Sequence, residues 1–251
     1  MNTSFFRRIG SLILGLFALS MPLIADAEAE EIIRKVDEVQ KSDTEVASMT
    51  MTVVDDTADP GSSRSFEAET IGRGADESVI VFRSPRRLAG LSILSRDDGQ
   101  WVYFPSTGRV RKLSGAAKSE SVSGVGGDFS YEDLGGGEWS EDYRFRLVSE
   151  ESDAWILEGT PKDDEISYSG IEMTVAKADY IPRRIVYYKG SSSPEKVLTV
   201  EEVGKFDGRL KPARMVMENP AKNSRTEIEF TRMEFGTPLA DERFHPRLFY
   251  R

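Results

Sequence analysis

Trp101-Val-Tyr-Phe-Pro-Ser-Thr-Gly-Arg-Val-Arg-Lys-Leu113 decides the fold. Trp101, Tyr103 and Phe104 load a short run with aromatics, which suit strands. Pro105 to Gly108 has turn chemistry, and Val110 to Leu113 reads as the returning strand. The segment is therefore a β-hairpin.

On either side the same pattern recurs. Val46 to Val54 alternates, with Ala47, Met49, Met51 and Val53 on one side and Ser48, Thr50 and Thr52 on the other. Pro60-Gly61 then marks a turn. Strands are expected at Ser65 to Gly72 and Ser78 to Arg83, while Leu88 to Leu94 reads as a strand or as one helical turn and a strand. Seven further strands follow the hairpin: Tyr143 to Val148, Ala154 to Gly159, Gly170 to Ala176, Arg183 to Tyr188, Lys196 to Val203, Leu210 to Glu218 and Ser224 to Glu234. Short spacing with turn signals between them argues for an antiparallel meander rather than βαβ units. One amphipathic helix is expected, Glu28 to Lys41, with Ile32, Ile33, Val36 and Val39 on its apolar face. The long connection Ser114 to Gly137 breaks the rhythm. Connections of that length are functional or disordered. This one is either a solvent loop or a lid whose Phe129, Tyr131 and Leu134 cover a cavity, with its glycines as hinges.

The hairpin, the Gly-rich connection with Asp128-Phe-Ser-Tyr-Glu-Asp-Leu134, and the ending Ala240-Asp-Glu-Arg-Phe-His-Pro-Arg-Leu-Phe-Tyr-Arg251 together resemble the outer-membrane lipoprotein-sorting protein family. The resemblance spans essentially the whole mature chain. It implies a LolA-like fold, similar to LolA, LolB and LppX: mainly β, a single antiparallel sheet curled into an incomplete, half-open β-barrel, with an N-terminal helix and a helical or loop lid. It implies a monomeric periplasmic carrier of outer-membrane biogenesis, whose cargo is acyl lipid or lipoprotein. An inner-membrane exporter of the RND type or an outer-membrane acceptor is the implied protein partner. No catalysis, cofactor or metal is implied. In the sorting carrier a lid arginine latches the closed state; Arg86, Arg87, Arg109 and Arg111 are the candidates here.

The N-terminus reads independently as a secretory signal peptide over residues 1–27, followed by a lipid-binding domain over 28–251. Arg7 and Arg8 form the positive region, Ile9 to Ile24 the apolar run, and Ala25-Asp26-Ala27 the cleavage site. With no cysteine, the chain carries no lipid-anchor thiol, disulfide or thiolate. The full chain has 33 basic and 43 acidic residues; removal of Arg7, Arg8 and Asp26 leaves 31 and 42, a net charge of −11. That balance argues against nucleic acid, since no net basic field displaces phosphate counterions.

Catalytic signatures are missing from the sequence. His245 is the single histidine, and no G-x-S-x-G elbow accompanies it. The acid pairs lack calcium-loop spacing, and Gly124-Val-Gly-Gly127 lacks the Lys-Ser/Thr of a phosphate loop. What remains is apolar surface suited to a floppy cargo. Each methylene removed from water contributes about 0.8 kcal/mol, and thioethers adapt to irregular shapes. Met49, Met51, Leu91, Ile93, Trp101, Tyr103, Phe129 and Tyr131 are therefore the expected cavity or lid residues, although the same alternation also builds an ordinary core. Arg86, Arg87, Arg109 and Arg111 stand in a basic stretch of an acidic protein. They are either a solvated face or a docking surface for a membrane partner or lipid headgroups. A different use of the same fold is a non-enzymatic module that senses lipid or peptide, with strand-edge docking as its mode.

Overall fold

The computed structural model describes residues 21–55, 62–97 and 99–251, with side chains from residue 26 onward. The arginine pair and most of the apolar run of the expected signal peptide lie outside the described residues, as does the Pro60-Gly61 turn. Helix α1 spans Met21–Gln40. It already runs ahead of the expected Glu28, where Ala25, Ala27 and Ala29 favour helix. No described helix is long and apolar enough to cross a membrane.

The strands are β1 (Ser42–Asp55), β2 (Ser63–Gly74), β3 (Glu77–Ser84), β4 (Ser92–Arg96), β5 (Gly99–Phe104) and β6 (Arg109–Leu113). After the connection come helix α2 (Trp139–Asp142), β7 (Tyr143–Glu150), β8 (Ala154–Pro161), β9 (Gly170–Ala176) and β10 (Pro182–Tyr188). The last three are β11 (Pro194–Phe206), β12 (Arg209–Asn219) and β13 (Ser224–Phe235). Leu88 and Leu91 sit in a turn, not a strand: Leu91 N–H donates to Leu88 C=O, and β4 begins only at Ser92.

All thirteen strands form one antiparallel sheet in the order β6-β5-β4-β3-β2-β1-β13-β12-β11-β10-β9-β8-β7. The sheet does not close, so the barrel is half-open, as expected. Two meanders meet where β1 pairs with β13, Met51 opposite Ile228. This order explains the long connection. Strands β6 and β7 are consecutive in sequence yet occupy the two opposite edges, so residues 114–142 must cross from one edge to the other.

Alternation sorts side chains onto two faces. One inward row runs Phe66, Met51, Ile228, Met215 and Val200 across five neighbouring strands. Inward residues of all thirteen strands, Leu113 of β6 included, form one apolar interior with Ala29, Ile32, Ile33 and Val36 of α1. Each large aliphatic or aromatic side chain buried this way contributes about 1.5–3 kcal/mol. The outward row Ile71, Val79, Leu94 and Trp101 belongs to a second, smaller cluster, capped by Phe244 and Phe249 of the C-terminal segment.

Candidate functional site

The connection is a strap packed inside the curve of the sheet. Val122, Val125, Phe129 and Tyr131 are buried in the same interior cluster as Met49 and Met51. Three polar clasps hold it there. Asp128 accepts hydrogen bonds from Ser224 and Thr226 of β13, and its own N–H donates to Thr226 Oγ1 at 2.9 Å. Gln100 of β5 donates to Tyr131 C=O at 2.6 Å. Lys196 of β11 donates to Asp133 Oδ2 at 2.7 Å, and Tyr168 hydroxyl donates to Asp133 Oδ1 at 2.7 Å. Buried polar groups need such partners, or desolvation is uncompensated.

The glycines of the strap serve close approach rather than hinging alone. Gly127 has φ +80°, and a Cβ there would lie 2.6 Å from Thr226 Oγ1 and 2.8 Å from Val53 Cγ2. At Gly136 a Cβ would meet Ala75 C=O at 2.6 Å. Only glycine lets the backbone lie this near the sheet.

Beyond the strap, the C-terminal half of the sheet keeps a cavity of about 480 Å³. Phe129, Trp139, Tyr143, Tyr168, Ile185, Tyr187, Leu198, Met215 and Phe230 supply its apolar wall, while Asp37, Lys41, Glu45, Glu132, Asp133, Glu138, Asp142 and Lys211 line the rest. Burial pushes the phenols of Tyr143, Tyr168 and Tyr187 upward, and the nearby Asp133 carboxylate adds to this. All three therefore stay neutral at ordinary pH. The roof is the junction of α1 with α2. Asp37 accepts the N–H groups of Trp139 at 2.8 Å and Ser140 at 3.1 Å, satisfying otherwise unpaired donors of the short helix. Lys211 of β12 donates to Gln40 C=O at 2.6 Å and to Ser42 Oγ at 3.3 Å, which ties the end of α1 down. Burial lowers the Lys211 pKa, partly offset by Glu45.

The residues expected around a cavity fall into three groups. Phe129 lines it. Met49, Met51, Leu91, Ile93 and the strap's own Tyr131 are buried in the interior cluster but do not line it. Trp101 and Tyr103 point the other way. Tyr103 stacks on Tyr250 with centroids 3.8 Å apart and planes at 10°, and Lys112 lies 5.2 Å over the Trp101 ring. Gln100 and Val102, their neighbours, take the inward face instead. Period-two alternation separates two faces without saying which one is concave. Sequence reasoning missed the wall from β10–β13, although Ile185/Tyr187, Leu198/Val200 and Met215/Met217 each show the required alternation.

Among the expected docking arginines, Arg86 and Arg87 are exposed in the β3–β4 turn, and Arg109 and Arg111 are exposed on edge strand β6. Arg87 lies 6.0 Å over the Phe66 ring and donates to Gly124 C=O at 3.5 Å. The two turns are neighbours, since a Cβ on Gly90 would lie 3.6 Å from Pro105. None of the four latches the strap through a carboxylate; Lys196 does so. Among the described residues no three His, Asp or Glu side chains are grouped to hold a metal ion.

The half-open antiparallel barrel is of the LolA-like kind, and solved structures share it. A DUF1329 family protein from Desulfovibrio piger is 27% identical, with a TM-score of 0.79 over 89% of this chain and 97% of that one. A domain from Vibrio parahaemolyticus, provisionally described as an outer membrane lipoprotein-sorting protein, is 26% identical. It has a TM-score of 0.79 over 90% of this chain and all of its own. A LolA superfamily protein from Nitrosomonas europaea shares the fold at 21% identity and a TM-score of 0.73, over 86% of this chain and 97% of that one. Residues 74–251 match the model of the family described as "uncharacterized protein", and the chain belongs to that family. Among curated proteins none matches it.

Proposed function

We propose that the protein is a non-enzymatic periplasmic carrier that holds the acyl chains of a lipid or lipoprotein inside its half-barrel and moves them between membranes. The observation that supports this most is the cavity of about 480 Å³, whose apolar part is made of aromatic, aliphatic and thioether side chains and which α1 and α2 border. It lies in the size range of small-molecule sites. A single chain or a short amphiphile fits the closed form; a multi-chain anchor needs the strap displaced, which would uncover Met49, Met51, Ile93 and Tyr131. The lipoprotein-sorting description of the Vibrio relative supports the same cargo class. Trp101 and Tyr103 have no place in this reading.

Residues 1–27 act as a cleaved signal peptide and 28–251 as the carrier domain. N-terminal sequencing of periplasmic protein is expected to begin at Glu28. Mass spectrometry of organic extracts from natively purified protein tests the cargo: acyl lipid at near-stoichiometric yield is expected, and a lipid-free protein that takes up none on incubation with vesicles overturns the reading. Arg86, Arg87, Arg109 and Arg111 would meet an acidic face of an inner-membrane exporter or outer-membrane acceptor. Transfer rates of charge-reversed protein across a salt series test that contact.

A second reading, an interaction module, has one feature in its favour. Strand β6 is outermost in the sheet, with Arg109, Val110 and Arg111 exposed, and an unpaired strand edge is a template for an added peptide strand.

A further inference from the structure

The two edges of the sheet differ. Strand β7 packs against α1. Strand β6 is open: among the described residues the backbone of Arg109–Leu113 pairs with β5 alone. Its outward-pointing N–H and C=O groups form a row that a further strand completes. None of these five residues lines the apolar cavity, so a strand can be held here while the interior stays closed.

The side chains along this edge specify which strand fits. Arg109 and Arg111 lie opposite Phe104 and Val102 of β5, on the inward face. Val110 and Lys112 lie opposite Tyr103 and Trp101, on the outer face, where Lys112 sits over the Trp101 ring. Arg109 and Arg111 are exposed, with no carboxylate partner among the described residues. On other strands Arg73, Arg83, Arg183 and Arg214 each have one. A chain with 43 acidic residues thus leaves these two edge cations bare. Between them Val110 is exposed beside Tyr103, which stacks on Tyr250. The edge reads cation, apolar, cation.

Charge on an edge strand blocks unwanted pairing, and here it does so selectively. A second copy of β6 would bring arginines against arginines, and like charges opposite each other are destabilising. A strand with acids beside Arg109 and Arg111 gains opposite-charge pairs on one face, and an apolar residue between those acids meets Val110 on the other. We propose that β6 accepts an extended acidic segment of a protein partner as an added outer strand, read as acid, apolar, acid by Arg109, Val110 and Arg111. The proposal rests on the interaction-edge reading of β6 and deepens it by naming the chemistry of the partner.

The test uses capped peptides of about seven residues, alternating valine with glutamate, serine or lysine, titrated calorimetrically into the mature protein. The glutamate peptide is expected to bind about tenfold more tightly than the serine peptide at moderate salt, and the lysine peptide more weakly still. Two further probes are the glutamate peptide N-methylated at every glutamate or at every valine. Amides of alternate residues face opposite edges of a strand, so one methylated probe is expected to lose binding and the other to keep it. Arg109→Glu/Arg111→Glu should transfer the preference to the lysine peptide. Lys189→Glu/Lys205→Glu, the same change in net charge at exposed lysines of β11 and the turn before it, should leave the glutamate preference intact. Equal affinity for the three peptides, with one methylated probe still inactive, overturns the acidic partner and leaves the open edge standing. Equal behaviour of the two methylated probes, or no peptide binding at all, overturns both. A preference lost equally in the Lys189/Lys205 variant belongs to the overall field and overturns the acidic partner. Phosphatidylglycerol vesicles that bind where the glutamate peptide does not, and are released by Arg109→Glu/Arg111→Glu, would assign the edge to a membrane surface instead.

Discussion

Asp133 and Lys196 face each other at 2.7 Å with side chains only 2% and 10% exposed, joining the strap to β11 across 63 residues of sequence. Asp133 also accepts from Ser130 N–H, Ser130 Oγ and Tyr168 hydroxyl, so its carboxylate is fully engaged. Removing one member of such a pair leaves an uncompensated buried charge.

Asp133→Ala is therefore expected to cost about 3–5 kcal/mol in urea unfolding. Amide exchange should rise most over residues 121–134. The double change Asp133→Asn/Lys196→Met should cost less than the two single changes added together, because it removes both charges. A loss below about 1 kcal/mol for Asp133→Ala would show that the pair does not hold the strap.

Trp139 lines the cavity, whereas Trp101 lies under the C-terminal segment on the outer face. Trp139→Phe should abolish the fluorescence change on amphiphile binding, and Trp101→Phe should preserve it. The reverse outcome would move the cargo to the outer face. Phe249→Ala, by contrast, should lower stability by about 3–5 kcal/mol without changing lipid content.

Alkaline pH should loosen the interior. Tyr143, Tyr168 and Tyr187 each have a pKa raised above the ordinary value of 10.0, chiefly by burial. In the unfolded chain these phenols ionise near that value, whereas in the folded protein they remain protonated. The folded state thus binds more protons above pH 10, and stability falls as pH rises from there. Tyr187→Phe should flatten that fall in melts recorded between about pH 8 and 11. An unchanged slope would exclude Tyr187 as a contributor.

Gly127→Ala should destabilise by about 1–3 kcal/mol through its positive φ and its collision with Thr226 and Val53. The same change at Gly208, whose φ is +85° with open space around it, isolates the backbone part. Thermal melts of the two variants should differ, with Gly127→Ala the worse.

Strand positions were legible because alternation and turn residues recur along the chain, and twelve of the thirteen strands lie where periodicity and turns put them to within four residues. The LolA-like half-barrel was legible through the hairpin, the 128–134 motif and the C-terminal ending. Facing was not. Trp101 and Tyr103 look like cavity aromatics in sequence, yet Lys112 beside Trp101 and Tyr250 on Tyr103 place them on the outer face. The Asp133–Lys196 and Asp128–Thr226 contacts have no sequence signature, since each joins distant segments through single side chains.

The opposite placement of β6 and β7 has a mechanical consequence. A sealed barrel can swell only by tearing a row of interstrand backbone bonds. Here the seam is a strap fastened by a few side-chain contacts at Asp128, Tyr131 and Asp133. Capacity can therefore grow by unfastening those contacts one after another while every strand pairing stays intact. On the carrier reading proposed above, the protein is an adjustable cuff whose grip is set by three buckles and the apolar lining of the strap rather than by the ladder of the sheet.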